Sequence, residues 1–192
     1  MRKAKIERKT RETDIKLELN IDGSGEYGID TGIGFFNHML DLFSHHSKID
    51  LTLACKGDLD VDFHHTVEDV GILLGQAIEQ ALGDKRSIKR YGYMVLPMDE
   101  ALALVSVDIS GRPFVVFDVP EGNTGGMELQ IFEEFFRALA FNAGITLHIK
   151  VFYGANPHHI IEAVFKAFAR AMREAVLHDS REAGIPSSKG VL

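Results

Sequence analysis

Two short stretches of the chain carry the chemistry: His64-His65-Thr66-Val67-Glu68 and His158-His159-Ile160-Ile161-Glu162. Imidazole and carboxylate are ligands for divalent ions, and the spacing suits a helix. Residues i and i+4 share a helix face, so His64 converges with Glu68 and His158 with Glu162. The middle histidines, His65 and His159, are turned by about 100° around the helix and cannot easily join the same ion. In a pseudo-symmetric arrangement each would reach across to the other site. A lone motif of this kind reads equally well as a helix start, with Glu near the positive end of the helix dipole. Two copies favour metal binding. The absence of thiolate from the set disfavours copper(I), iron–sulfur and structural zinc. Manganese, iron, cobalt, nickel and catalytic zinc stay open.

The two motifs belong to a longer internal repeat. Ser47 to Leu53 parallels Ala143 to Ile149, and Phe35-Phe36-Asn37-His38-Met39-Leu40 aligns with Ile131-Phe132-Glu133-Glu134-Phe135-Phe136. The link from these flanks to the HHxxE motif is two residues shorter in the second copy. The alignment sets His38 opposite Glu134 and adds one ligand to each site. One site is then His64, Glu68, His159 and Glu134; the other is His158, Glu162, His65 and His38. The alternatives to Glu134 are Glu133 or a different mode of metal binding at this site. The repeat divides the chain near Asp84 to Lys89, into halves 1–88 and 89–192 that form one catalytic unit.

Each half must supply strands and helices to hold these ligands. Ile15, Leu17, Leu19 and Ile21 alternate at the strand period, as do Ile49, Leu51 and Leu53, and Ile145, Leu147, Ile149 and Val151. Leu102, Leu104, Val107 and Ile109 alternate with a slip, and Phe114 to Val119 is a β-rich run. Gly34 to Ser44 and Glu128 to Asn142 have helical spacing, the second closed by Gly144. Each HHxxE motif opens a helix. Val67, Val70, Leu74, Ala77, Ile78 and Ala81 give one apolar face ending at Gly83. Ile161, Val164, Phe165, Phe168, Met172 and Val176 give the other. The expected fold class is α+β, with helices on one face of mixed sheets.

Composition narrows the function. A net charge of -7 argues against nucleic acid or an anionic membrane as partner. The single cysteine, Cys55, excludes a disulfide framework within the chain and fits a reducing, cytoplasmic setting. The N-terminus lacks the apolar core of a signal peptide, and no apolar run approaches the ~20 residues of a membrane span. Among nine histidines, His148 and His178 read as structural or surface residues. His45 and His46 either lie near the site or end a helix.

The motifs GFFNHMLDLFSHHS, DFHHTVEDVGI, NPHHIIEAVFKAFARA and IPSSKGVL, in this order across nearly the whole chain, resemble the imidazoleglycerol-phosphate dehydratase family. The resemblance implies dehydration of D-erythro-imidazole-glycerol phosphate to imidazole-acetol phosphate in histidine biosynthesis. It implies two manganese ions per active site, two fused βαβ-type units like the second domain of ribosomal S5, and a homo-oligomer of 24 subunits. Carried over, the metal ligands fall on His38, His65, His158 and Glu162, and on His64, Glu68, His159 and position 134. Many members carry His-Phe-Phe at that last position; this chain has Glu134-Phe135-Phe136. The resemblance also places His38, His64 and His158 against substrate. It gives Glu12, Glu68 and Glu162 as catalytic carboxylates, with Glu12 near the reacting carbons. Arg90, Arg112, Ser187, Ser188 and Lys189 match phosphate ligands, and Lys166 a residue of the binding face. Without it, the IPSSKG tail would be read as disordered.

The expected mechanism uses the substrate's imidazole as electron sink, since no carbonyl acidifies the C–H bond. With its ring nitrogens on two metals, the imidazolate expels the neighbouring hydroxyl to give a diazafulvene. Glu12 then takes a proton from the next carbon. A binuclear phosphoesterase and a non-catalytic metal-binding shell also fit the repeat. Released phosphate, or no turnover at all, distinguishes them.

Overall fold

The computed structural model describes residues 1–192. The first half runs β1 (Lys3–Lys9), β2 (Thr13–Asn20), β3 (Tyr27–Asp30), α1 (Gly34–Ser47), β4 (Asp50–Gly57) and α2 (His64–Leu82). The second runs β5 (Tyr91–Met98), β6 (Ala101–Asp108), β7 (Phe114–Asp118), α3 (Ile131–Ala143), β10 (Thr146–Tyr153) and α4 (Pro157–Val176). Before α3 lies a small hairpin of β8 (Asn123–Thr124) and β9 (Met127–Glu128).

The two halves share one topology. The first sheet has strand order β1-β2-β4-β3 and the second β5-β6-β10-β7. In each, the first three strands in that order pair antiparallel and the fourth joins parallel. That parallel pair is bridged by a helix, α1 or α3, as a parallel crossover requires. The fold is α+β with mixed sheets.

Strand alternation puts one face of each sheet against helices. Ile15, Leu17 and Leu19 of β2 and Leu51 and Leu53 of β4 are buried, while their sequence neighbours are half-buried or exposed. Helices α1 and α2 cover the first sheet and α3 and α4 the second. The two helical layers then pack on each other, α1 on α4 and α2 on α3. Phenylalanines fill this centre. Phe132 meets Phe165 edge-on at 5.4 Å, Phe36 meets Phe135 at 5.4 Å, and Phe43 stacks on Phe168 at 5.4 Å. Gly144, left-handed at φ 63°, ends α3 with its N–H on the Ala140 carbonyl.

Several elements differ from the sequence reading. In β6 the buried residues are Ala101, Ala103, Val105 and Val107, in unbroken alternation. Leu102 and Leu104 face the other way, half-buried, so there is no slip. Small alanines occupy the inner face because α4 lies close over it. Helix α1 continues through His45 and His46 to Ser47, and both histidines sit in its last turn. Helix α3 starts at Ile131 because Glu128 is taken into the β8–β9 hairpin.

Helix α2 approaches α3 through two glycines one turn apart. A Cβ on Gly71 would lie 2.7 Å from the Phe135 carbonyl oxygen, and one on Gly75 would press still closer on the Leu139 carbonyl and lie 2.8 Å from Asn142 Cβ. Alanine is the better helix former by about 1 kcal/mol. Gly75→Ala is nonetheless expected to destabilise the protein by roughly 1–3 kcal/mol, because backbone of α3 must move. Urea unfolding measures this; unchanged or higher stability would show that the interface has slack there.

Candidate functional site

Both HHxxE motifs stand where a strand hands over to a helix. Strand β4 leads through the loop 58–63 to His64, the first residue of α2, and β10 leads to α4, which starts at Pro157. Asn156 caps α4, its side-chain oxygen accepting from the His158 N–H at 2.9 Å. Pro157 occupies the first turn, where a missing N–H costs nothing.

The packing of α1 on α4 assembles one compact ligand group. His38, His158 and Glu162 offer ligand atoms that all lie within 4.8 Å of one another. His38 Nε2 is 2.7 Å and His158 Nε2 3.2 Å from Glu162 Oε1. Glu162 is buried. Burial pushes its carboxyl up, but hydrogen bonds from Lys166, His38 and His158 together outweigh this and hold it down to about 2. Lys166 Nζ donates to Glu162 Oε2 at 2.7 Å and lies 3.2 Å from Met98 Sδ. An ionised carboxylate and two imidazoles at one point form a donor set suited to a divalent cation. These residues fit a metal ion.

The equivalent group in the other copy is more open. His64 and Glu134 line one cleft of about 290 Å³ with Asp62, Phe63 and the β8–β9 hairpin. His64 Nδ1 lies 3.4 Å from Asp62. Glu68 and Glu134 are exposed, and neither closes with His64 into a cluster. The middle histidines do not reach across within the chain. His65 Nδ1 lies 3.0 Å from Asp58 Oδ2, and His159 Nδ1 2.7 Å from Glu100 Oε2. Both imidazoles are thereby raised, in each case first by the hydrogen bond to that carboxylate. Glu100 is held down to about 2, chiefly by its hydrogen bond to His159. Glu12, in the β1–β2 turn, places Oε1 3.9 Å from His65 Nε2.

The expected phosphate ligands gather at another place. Arg90 forks onto Asp108, Nε at 2.7 Å and Nη2 at 3.2 Å, and its Nη1 donates to the Pro186 carbonyl at 2.9 Å. It is buried, so within one chain it grips the C-terminal segment. That segment is ordered by backbone bonds: the Ser87 N–H donates to Gly184 and the Asp179 N–H to Ser87. Ser187 Oγ accepts from the Lys189 N–H at 3.2 Å. The backbone of Leu192 lies against Gly111, next to the exposed Arg112. Ser187, Ser188 and Lys189 therefore follow directly on the segment that Arg90 holds.

The two groups lie at opposite ends of the second sheet. Arg90 pairs with Asp108 and Arg112 lies beside Thr146, at one end of the β6–β10 ladder. Glu100, His159 and the start of α4 lie beyond Ala101 and Tyr153, at the other. Eight-residue strands separate these ends by roughly 23 Å, seven steps of about 3.3 Å.

Asp58, Asp99 and Glu100 escaped the sequence reading. Asp99 Oδ2 is 3.7 Å from His159 Nε2. A signal for Glu100 existed: it immediately precedes β6, as Glu12 immediately precedes the equivalent β2.

The family model described as imidazoleglycerol-phosphate dehydratase matches residues 31–172. A relative of that name from Acetivibrio thermocellus is 61% identical, over 100% of this chain and 99% of its own. One from Clostridium kluyveri is 59% identical, over 100% of both. A crystal structure of the Staphylococcus aureus protein of that name superimposes with a TM-score of 0.83 at 41% identity, covering 92% of this chain and 99% of the other. The Pyrococcus furiosus structure gives a TM-score of 0.83 at 36% identity, over 97% and 100%.

Glu162 makes the metal-free stability of the group depend on pH. Its carboxyl lies below its ordinary 4.5 in the folded chain, so its contribution is complete above about 4.5 and fades as pH falls toward about 2. Urea unfolding of the metal-free parent and of Glu162→Gln between pH 7 and 3 should give a stability difference that shrinks across the acid range. A difference independent of pH would show that the ionised carboxylate is not its source.

Proposed function

Because the chain belongs to the imidazoleglycerol-phosphate dehydratase family, we propose that it dehydrates D-erythro-imidazole-glycerol phosphate to imidazole-acetol phosphate in histidine biosynthesis. The buried, ionised Glu162 between His38 and His158 carries this reading, because it gives the reaction a built place for a divalent ion.

His38, His158 and Glu162, with His65, hold one ion; His64, Glu68, His159 and Glu134 hold the other. Divalent ions there, manganese by resemblance to the family, supply the Lewis acidity that makes the substrate's imidazole ring the electron sink. The hydroxyl leaves from the carbon next to the ring and a proton leaves from the following carbon. Together they are the water released, and the enol left behind becomes the ketone. Glu12 is the base that takes the proton, supported by its position beside His65. Lys166 offsets the negative charge of Glu162 and lies along the binding face. Arg112, Ser187, Ser188 and Lys189 donate to the phosphate. Arg90 fixes the segment that carries the serines and adds its own charge to that end.

Residues 1–88 and 89–192 are read as two halves of one catalytic unit, and that unit as part of a homo-oligomer, 24 subunits by the family resemblance. The separation of roughly 23 Å between phosphate and metal ligands supports this, since a small substrate cannot span one sheet's length within one chain. So does the outer face of the second sheet, where Tyr91, Tyr93, Val95, Phe114 and Val116 are exposed. A cytoplasmic setting agrees with the one cysteine, Cys55, whose thiol burial pushes up to about 12. No helix is long and apolar enough to cross a membrane.

The direct test strips the protein with a chelator, restores Mn²⁺ and follows the keto product. Product forming only with metal is expected. No product with any divalent ion, from folded protein holding two ions per chain, would overturn the dehydratase reading; phosphate release would put a phosphoesterase in its place. Glu12→Gln should lower turnover by about 10²- to 10⁴-fold with metal content intact. Near-normal turnover would remove Glu12 as the base.

A further inference from the structure

Resting on the reading of His65 and His159 as metal ligands, we propose that Asp58 and Glu100 are positioning residues, each fixing the tautomer and direction of one of these imidazoles. The hydrogen bonds are His65 Nδ1 to Asp58 Oδ2 at 3.0 Å and His159 Nδ1 to Glu100 Oε2 at 2.7 Å. An ionised carboxylate can only accept, so each Nδ1 must carry a proton. In the neutral ring the lone pair is then on Nε2, the atom turned away from that carboxylate. Nε2 of His65 lies 3.9 Å from Glu12, and Nε2 of His159 3.7 Å from Asp99. A histidine held through one nitrogen by a carboxylate, with the other free, is prepared to ligate.

The arrangement is not a by-product of the repeat. Asp58 follows β4, whereas Glu100 sits in the β5–β6 turn, so the two carboxylates come from non-equivalent places. They nonetheless make the same bond to equivalent histidines. Glu100 is itself fixed: its Oε1 accepts from the backbone N–H of Ala155 at 3.2 Å and of Asn156 at 2.8 Å. Asn156 in turn caps α4 at His158. One carboxylate thus ties the β5–β6 turn, the loop entering α4 and the ring of His159 together. Asp58 is simpler. Its Oδ1 is buried without a partner, and His65 is the one side chain its carboxylate serves.

Amide substitution separates orientation from packing. In Glu100→Gln, the amide oxygen is needed by the Ala155 and Asn156 N–H groups, so the NH₂ faces Nδ1. The ring must then accept at Nδ1 and carry its proton on Nε2, which removes the ligating lone pair. The test titrates Mn²⁺ into metal-free, full-length parent, Glu100→Gln, Asp58→Leu, His159→Ala and His65→Ala, by calorimetry; leucine is used at position 58 because an asparagine there could turn its oxygen to Nδ1. The visible absorption of the Co²⁺-loaded proteins gives a spectroscopic readout. Glu100→Gln and Asp58→Leu should each bind one ion about 10- to 100-fold more weakly, still reach two ions per chain at saturation, and change the Co²⁺ spectrum. Mn²⁺ affinity within about twofold of the parent and an unchanged Co²⁺ spectrum in both, while the alanine variants lose an ion, would overturn the positioning role alone. Full-affinity binding of two ions by the alanine variants would remove the ligand reading, and this proposal with it. The two carboxylates sit in different loops, so misfolding of one variant leaves the other to decide.

Discussion

The structure depends on keeping one carboxylate ionised where little water reaches it. Glu162 is buried on α4, and an uncompensated charge there would cost several kcal/mol. Its compensation comes from both halves of the chain. Lys166 and His158 approach from its own helix, one turn away on either side. His38 approaches from α1 in the other half. Position, rotation and tilt of α1 on α4 are thereby constrained to keep His38 Nε2 within hydrogen-bond distance. The phenylalanines at the same interface supply the adhesion, but apolar contact is tolerant of small shifts. The hydrogen-bonded group is not, and with the close approach of α2 to α3 at Gly71 and Gly75 it sets the register between the halves.

The repeat duplicates the backbone more faithfully than the chemistry. Both sheets have the same strand order and both HHxxE motifs open a helix. Yet only one copy closes its ligands. Where α1 presents the imidazole of His38 to a carboxylate, α3 presents Glu134, and Glu134 with Glu68 would set two carboxylates near one imidazole. Like charges resist convergence unless a cation or a solvent layer separates them. The cleft around His64 and Glu134 stays open, and Glu68 is exposed. The two groups therefore differ in how far they are preorganised, although their parent scaffold is one and the same.

Much of this was readable from the chain. Strict alternation exposed β2, β4 and β10, and the doubled motif exposed α2, α4 and the topology between them. The misreading of β6 has a physical cause. Its inward residues are small where α4 comes close, and its larger leucines face outward, so side-chain volume pointed to the wrong face. The start of α3 was hidden because Glu128 continues the helical spacing while its backbone pairs with Asn123. In the candidate site, the convergence of His38 on His158 and Glu162 followed from aligning the repeat and asking which helix faces meet. The partners of His65 and His159 were harder to see, because Asp58 and Glu100 lie in loops, at unrelated sequence distances from the rings they hold; the one signal was the match of Glu100 to Glu12 at the start of equivalent strands. No periodicity reports a contact between a turn and a helix 59 residues away.

On the proposed reading, Arg90 is both structural and part of a binding surface. Taken alone, its fork onto Asp108 and its bond to Pro186 make it a buried clasp. The clasp, however, determines where Ser187, Ser188 and Lys189 lie, and those residues have no secondary structure of their own to hold them. Preorganising such a segment lowers the entropy lost when it closes on an anion. Its position at the far end of the β6–β10 ladder from His159 then becomes informative. Held by Arg90 and Ser87, the segment lies at the other end of the sheet from the paired histidines of its own chain. On the proposed reading, what it serves is a site to which another copy brings the histidines, and the rigidity that isolates the two ends within one chain is what makes them complementary between chains.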